Sequence, residues 1–248
     1  MIYEIAAAAK TLRKEGLGSL IRKLQTYFRD WFWGMVFLCR RKPTGASLEE
    51  LLDFCFKKNH SLLGPSQVRE EITNVLKLLR GQSPRTMVEI GTANGGTLFM
   101  LCRLTDPKGT IISIDLPHGI HGGGYPAWKT LLYRRFARGC QTINLIRADS
   151  RDPKTIEQLR GILSGGKIDC LFIDGDHTYN GVKADFENYL PFVAKGGMVV
   201  FHDICKHASV LDCKVDLFWA EVREKYPHQE FIQNPDQGWA GIGVLFID

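Results

Sequence analysis

Five short stretches of this chain end in side chains that can do chemistry. They are "VEIGTANGG" (Val88 to Gly96), "IDL" (Ile114 to Leu116), "RADS" (Arg147 to Ser150), "FIDGDH" (Phe172 to His177) and "FHD" (Phe201 to Asp203). In each, an apolar run stops at or near an acid: Glu89, Asp115, Asp149, Asp174 and Asp203, the last preceded by His202. Burying an unpaired charge is costly, so such a cluster normally has a backbone cap, a metal ion or a ligand as partner. His177 adds an imidazole that can accept a proton near neutral pH. Plainer roles stay open. Asp176 is suited to cap the helix that begins at "TYNGVKADF", with His177 as its neighbour, and His202 could be a satisfied histidine at a strand end.

The loop from Gly91 to Gly96 has the spacing G-x-x-x-G-G and opens a helix. Its glycines let backbone approach a ligand closely, and a helix N-terminus favours anions. The G-x-G-x-x-G of dinucleotide sites is absent, so a plain tight turn is the alternative. Asp115, 24 residues beyond Gly91, can accept hydrogen bonds from ribose hydroxyls or cap the turn before Pro117. Asp149 and Ser150 can meet an adenine amino group or serve the turn and N-cap of Asp149–Asp152. Loop and acid together point to an adenosine-containing cofactor.

The elements that hold these residues follow from periodicity. Apolar runs at Thr86–Gly91, Thr110–Asp115, Thr142–Arg147, Ile168–Asp174 and Gly197–His202 alternate with helical patterns near 96–105, 126–138, 153–164 and 179–194. That alternation predicts an α/β fold: a doubly wound, mostly parallel sheet with ligands at the carboxyl ends of its strands. A helix near Val215–Lys225 precedes strand patterns at His228–Ile232 and Ile242–Ile247, which suit an antiparallel hairpin at one edge. Helices over Leu48–Lys58 and Ser66–Leu79 precede the first strand.

With 248 residues, 44% hydrophobic and 24% charged, the chain suits one soluble α/β domain. Its seven cysteines are scattered without a C-x-x-C pair, which argues against a disulfide framework or a zinc site and for a reducing, cytoplasmic setting. The net charge of +5 is uneven. Residues 1–45 carry nine Lys/Arg against three acids, and the remainder carries 23 against 24. The main body therefore offers no electrostatic case for nucleic acid.

The chain divides into a basic amphipathic helical segment, 1–45, and a domain, 46–248. In the first, Leu17, Leu20, Ile21, Leu24, Tyr27, Phe28, Trp31, Phe32 and Met35 recur at helical spacing, and "WFWGMVFLC" is too short to span a bilayer. The segment either packs on its own domain or a second subunit, or makes peripheral membrane contact through residues 10–42. "RKPTGASLEE" reads as a hinge with a Ser47–Glu50 capping box. The loop Pro117–Lys129, with His118, His121, Tyr125 and Trp128, is either a mobile substrate loop or a solvated one.

The quoted motifs, with "FIDGDHTYNGVKADFENYLPFVAKGGMVVFHDI" and the closing "GIGVLF", resemble the class I S-adenosylmethionine-dependent methyltransferases over about residues 62–248. More narrowly, they are similar to the branch of macrolide-sugar O-methyltransferases and cephalosporin hydroxylase-like proteins. The resemblance implies a Rossmann-like, seven-stranded sheet whose last strand is antiparallel. It implies that Glu89, Gly91, Thr92 and Gly95 hold the amino-acid end of S-adenosylmethionine. Asp115 and Leu116 would lie at the ribose, Asp149 and Ser150 at the adenine, and Asp174 beside the reacting end. His177 would be the base, assisted by Asp174. A divalent ion such as Mg²⁺ would sit on Asp174, His202 and Asp203, although the histidine departs from an all-acid set and magnesium prefers oxygen ligands.

The expected activity is therefore methyl transfer to a hydroxyl of a small acceptor: a sugar, glycoside or glycolipid intermediate. The basic N-terminus would suit a lipid-linked acceptor. The alternatives are a nicotinamide-dependent oxidoreductase and a non-catalytic, membrane-associated scaffold. A small hydroxylated substrate, no nucleic acid and an open question of homo-oligomerisation complete the expected partners.

Overall fold

The structure, a computed structural model, describes residues 12–13, 15–39, 47–58, 60–117, 119, 124–208 and 212–248. The hinge stretch 40–46 and the loop histidines His118 and His121 lie outside the described residues.

All seven expected strands form: β1 (Thr86–Ile90), β2 (Thr110–Ile114), β3 (Thr142–Ile146), β4 (Ile168–Ile173), β5 (Val193–His202), β6 (His228–Phe231) and β7 (Ile242–Phe246). They make one sheet in the order β3-β2-β1-β4-β5-β7-β6. β1 to β5 pair in parallel, and β7 runs antiparallel between β5 and the edge strand β6. β5 starts four residues earlier than the sequence suggests. Val193 and Ala194, which the helical pattern near 179–194 takes in, belong to the strand instead, and Val193 pairs with Ile168 across a register irregularity.

Nine described helices surround the sheet: α1 (Leu17–Cys39), α2 (Leu48–Asp53), α3 (His60–Leu63), α4 (Arg69–Gln82), α5 (Gly96–Leu104), α6 (Lys129–Arg134), α7 (Pro153–Leu163), α8 (Tyr179–Tyr189) and α9 (Val215–Val222). α2 opens on the capping box of Ser47 and Glu50 and runs into a π-helical turn, Phe54–Lys58. α6 is half the expected length, because Pro126 to Trp128 and the residues after Arg134 form turns. α8 is capped by Thr178, whose side chain accepts from the Gly181 amide. Asp176 instead accepts from the Thr178 amide and pairs with Arg151. Thr178 is the cap because a side chain at that position reaches the free amide three residues on.

Alternate residues of each central strand feed opposite faces, so both sides of the sheet are apolar. Met87, Ile111, Phe172 and Val200 join α1 to α6 in one core; Val88, Ile112, Ile173 and Phe201 join α7 to α9 in the other. α1 packs on its own domain along one face. Phe37 is buried among Phe54, Phe99 and Phe136, and Tyr27 meets Trp128 edge-on. Gly34 is needed for the approach: a Cβ there would lie 2.6 Å from the Trp128 ring. The opposite face of α1 is exposed from Leu17 to Met35.

Candidate active site

The carboxyl ends of β1, β2 and β4 continue each other's hydrogen bonding. Gly91 N donates to Ile114 O at 2.9 Å, Asp174 N to Ile90 O at 2.8 Å and Asp115 N to Ile146 O at 3.0 Å. This ladder sets the expected residues on one rim. Gly91 stands where β1 leaves the sheet with φ +90°, and an added Cβ would collide with the Asp174 carbonyl oxygen. Only glycine joins these two strand ends so closely.

The loop after Gly91 is held from two sides. Asp115 Oδ2 accepts from the amides of Thr92 (3.0 Å) and Ala93 (2.7 Å), and Tyr133 donates to the Ala93 carbonyl. Thr92 turns its hydroxyl to Ser113 at 2.6 Å, and Gly95 stands at the N-cap of α5. Burial pushes the Asp115 carboxyl up to about 6, although the two amides and the charges of Arg147 and Lys129 act against this. Glu89 lies beneath the rim, buried, with both carboxylate oxygens lacking a hydrogen-bond partner. Burial, then the charges of Asp115 and Asp174, raises it well above the usual carboxylate range.

A cavity of about 390 Å³ opens above this loop. Ile90, Ile114, Leu116 and Ala148 give it apolar walls, and Gly91, Asp115, Asp149, Ser150, Asp174 and His177 are among its polar and glycine positions. Seven of the expected site residues thus share one cavity. Glu89, Thr92 and Gly95 support it from behind, and His202 and Asp203 stand beneath Asp174 and His177. Gly119 and Gly124 line it as well. The other described loop side chains turn away: Tyr125 is buried against Tyr133, and Trp128 packs on α1.

At the far end, Asp149 is held by Arg151, which donates to both its oxygens and bridges to Asp176. The Arg151 hydrogen bond holds the Asp149 carboxyl below its usual value. Ser150 donates to Asp185 Oδ1 at 2.6 Å, and Tyr189 donates to the Ser150 carbonyl. Asp185 is fully buried, its Oδ2 has no partner, and burial pushes its carboxyl up to about 7.

At the near end lies a cluster of acids and imidazoles. His177 Nδ1 stands 3.1 Å from Asp203 Oδ2, and its Nε2 stands 3.6 Å from Asp174 Oδ1. His202 Nδ1 lies between Asp174 Oδ1 (3.2 Å) and Asp203 Oδ1 (3.3 Å), off the direction of a hydrogen bond to either. Burial opposes charge on His202, but the two carboxylates outweigh it and raise its pKa well above the usual histidine value. Asp203, with φ +63°, also meets His207 Nε2 at 3.0 Å and the Ala240 amide at 3.1 Å. Burial alone would raise Asp203, yet the charges of His202, His177 and His207 hold it below the carboxylate range. Gln67 donates to Asp174 Oδ2 at 2.9 Å.

Among the described residues two donor triplets have their atoms within 4.8 Å of one another: Asp174–His202–Asp203, and His177–Asp203–Cys213. The Cys213 thiol is pushed up to about 11 by burial, so it is a protonated thiol at neutral pH. The sequence reading missed Gln67, Arg151, Asp185 and Cys213. Asp185 had a signal: in α8 it falls on the same helical face as Val182, Phe186 and Tyr189, an acid inside an apolar stripe.

A parallel sheet in this order, with a glycine turn after β1, an acid after β2 and β7 inserted antiparallel, defines a class. It is the Rossmann-like fold of the class I S-adenosylmethionine-dependent methyltransferases, and residues 88–204, a little under half of the chain, match the family model described as "Methyltransferase domain". Solved structures share the fold. An O-methyltransferase from Bacillus cereus, in complex with SAH, has a TM-score of 0.56 at 17% identity, covering 82% of this chain and 92% of that one. TomG from Streptomyces achromogenes, an O-methyltransferase of tomaymycin synthesis in complex with SAM, has a TM-score of 0.54 at 16% identity, covering 84% and 92%. CalS11, a TDP-rhamnose 3'-O-methyltransferase of calicheamicin biosynthesis, has a TM-score of 0.51 at 18% identity, covering 88% and 93%.

Two curated relatives match by sequence. Uncharacterized protein y4gI of Sinorhizobium fredii (strain NBRC 101917 / NGR234) is 29% identical over 174 residues, 68% of this chain and 18% of that protein. Uncharacterized protein R132 of Acanthamoeba polyphaga mimivirus is 37% identical over 118 residues, 48% of this chain and 51% of that protein. The matches thus span about a fifth and about half the length of these relatives.

Proposed function

We propose that this protein transfers a methyl group from S-adenosylmethionine to a hydroxyl of a small acceptor, with a sugar, glycoside or glycolipid intermediate as the acceptor class. One observation carries the reading: the His177 imidazole, with Nδ1 3.1 Å from a buried Asp203 oxygen, stands on the lip of the cavity whose floor holds Asp115. The cavity suits the donor. Its apolar walls match an adenine face, Asp115 offers an acceptor to ribose hydroxyls, and the Gly91 turn leaves room for the amino-acid end. Sugar O-methylation is supported by the likeness in fold to CalS11, a TDP-rhamnose 3'-O-methyltransferase.

When bound, the donor supplies an electrophilic methyl on a positive sulfur. A protonated alcohol is a poor nucleophile, so the protein must align the acceptor oxygen and remove its proton. Asp203, held ionised, accepts from His177 Nδ1–H and so fixes the tautomer whose Nε2 carries the lone pair. That Nε2 takes the hydroxyl proton as the new carbon–oxygen bond forms and the carbon–sulfur bond breaks. Asp174 Oδ1, at 3.6 Å, stabilises the resulting imidazolium, and Gln67 fixes the orientation of the Asp174 carboxylate.

Asp174, His202 and Asp203 do not fit magnesium. One of the three donors is a nitrogen, and Asp203 Oδ1 already meets His207 and the Ala240 amide. The His202 ring lies between the two carboxylates, with Nδ1 3.2 Å and 3.3 Å from their oxygens, in the space such an ion would take.

The test is formation of S-adenosylhomocysteine over a panel of sugar nucleotides and glycosides, with His177→Ala beside the wild type. The expected result is acceptor-dependent turnover that falls by roughly a hundredfold or more in the variant, with donor affinity retained. Full turnover by His177→Ala would remove the base; donor binding with no turnover on any acceptor would favour a non-catalytic scaffold.

A further inference from the structure

We propose that the outward face of α1 docks on an anionic lipid surface. Seven large apolar residues from Leu17 to Met35, Phe28, Trp31 and Phe32 among them, fall within an arc of about 100° on this helix. All seven are exposed, Leu17 by 63%, Phe28 by 64% and Phe32 by 56%. The helix is held to the domain by its other face, through Tyr27, Gly34 and Phe37, and the stripe stays exposed. A contiguous apolar patch of this kind marks an interaction surface.

Charge and composition choose the occupant. The stripe is bordered on one side by Arg22 and Arg29, and residues 1–45 carry nine basic against three acidic residues. Two copies packed stripe to stripe would bring two net-positive segments together. An anionic bilayer complements them, and aromatic side chains beside arginines suit the headgroup boundary. No helix among the described residues is long and apolar enough to cross a membrane, so the helix lies on the surface. The apolar stripe supplies the insertion and the basic border supplies the preference for anionic lipid.

The test uses the full chain, sedimented with vesicles of phosphatidylcholine alone or with phosphatidylglycerol added. Expected are binding to the anionic vesicles, a blue shift of tryptophan emission, and much weaker binding to phosphatidylcholine. Because Phe28 and Phe32 are 64% and 56% exposed, the Phe28→Ser/Phe32→Ser protein should keep its circular dichroism while partitioning falls about tenfold or more. Arg22→Gln/Arg29→Gln should narrow the difference between the two vesicle types. No sedimentation with either vesicle overturns the proposal. So does lipid-free, concentration-dependent dimerisation that Phe28→Ser/Phe32→Ser abolishes, because the occupant is then a second copy.

Discussion

Asp185 stands under the far end of the cavity with one oxygen on Ser150 and the other without a partner. Its carboxyl is fully buried and raised from 3.8 to about 7, with burial the largest cause. The sign follows from proton binding. Below pH 3.8 the carboxyl is neutral in both folded and unfolded chains. Above that the unfolded chain ionises first, so this group destabilises the fold progressively until the folded carboxyl also ionises, and the effect then levels off. At about 1.4 kcal/mol per pH unit, the full effect is on the order of 4 kcal/mol, with less than half of it present near pH 5.

Asp185→Asn keeps the shape and the acceptor for Ser150 but cannot ionise. Its stability advantage over the wild type, from urea unfolding, should widen by about 2–3 kcal/mol between about pH 5 and pH 8. Using the change with pH removes any pH-independent effect of the amide. A constant difference across that range would show that Asp185 is not a raised, buried acid, and the account of the Ser150 end would fail.

Two further outcomes are expected. Gly91→Ala meets both a φ of +90° and the Asp174 carbonyl, so it should lower stability by about 2 kcal/mol or more in thermal unfolding and abolish donor binding. A change within about 0.5 kcal/mol would refute the close approach of β1 and β4. Dialysis against EDTA should leave the methyl-transfer rate unchanged, since the His202 ring lies between the two carboxylates; restoration of a lost rate by Mn²⁺ or Mg²⁺ would return the metal to the site.

Much of this arrangement was legible in the sequence, for local reasons. Each rim acid closes an apolar run, and in a parallel sheet strand ends share an edge, so Asp115, Asp149 and Asp174 could be grouped before any distance was known. Boundaries failed where two local signals competed. Asp176 and Thr178 both suit a cap two positions apart, and Val193–Ala194 extend the helical pattern although the strand begins there. Gln67 could not be foreseen, because it reaches Asp174 from 107 residues away, and neither could the packing of Trp128 on α1. Asp185 could have been found, since only helical periodicity is needed to place it among Val182, Phe186 and Tyr189.

Calorimetric titration with S-adenosylhomocysteine is the most direct test of the proposal that one rim grips a sulfur-bearing nucleoside with Asp115 at its ribose. The expected result is one equivalent bound per chain, weakened about tenfold or more by Asp115→Ala, with no heat from NAD. No binding of S-adenosylhomocysteine, or saturable binding of NAD in its place, would contradict it.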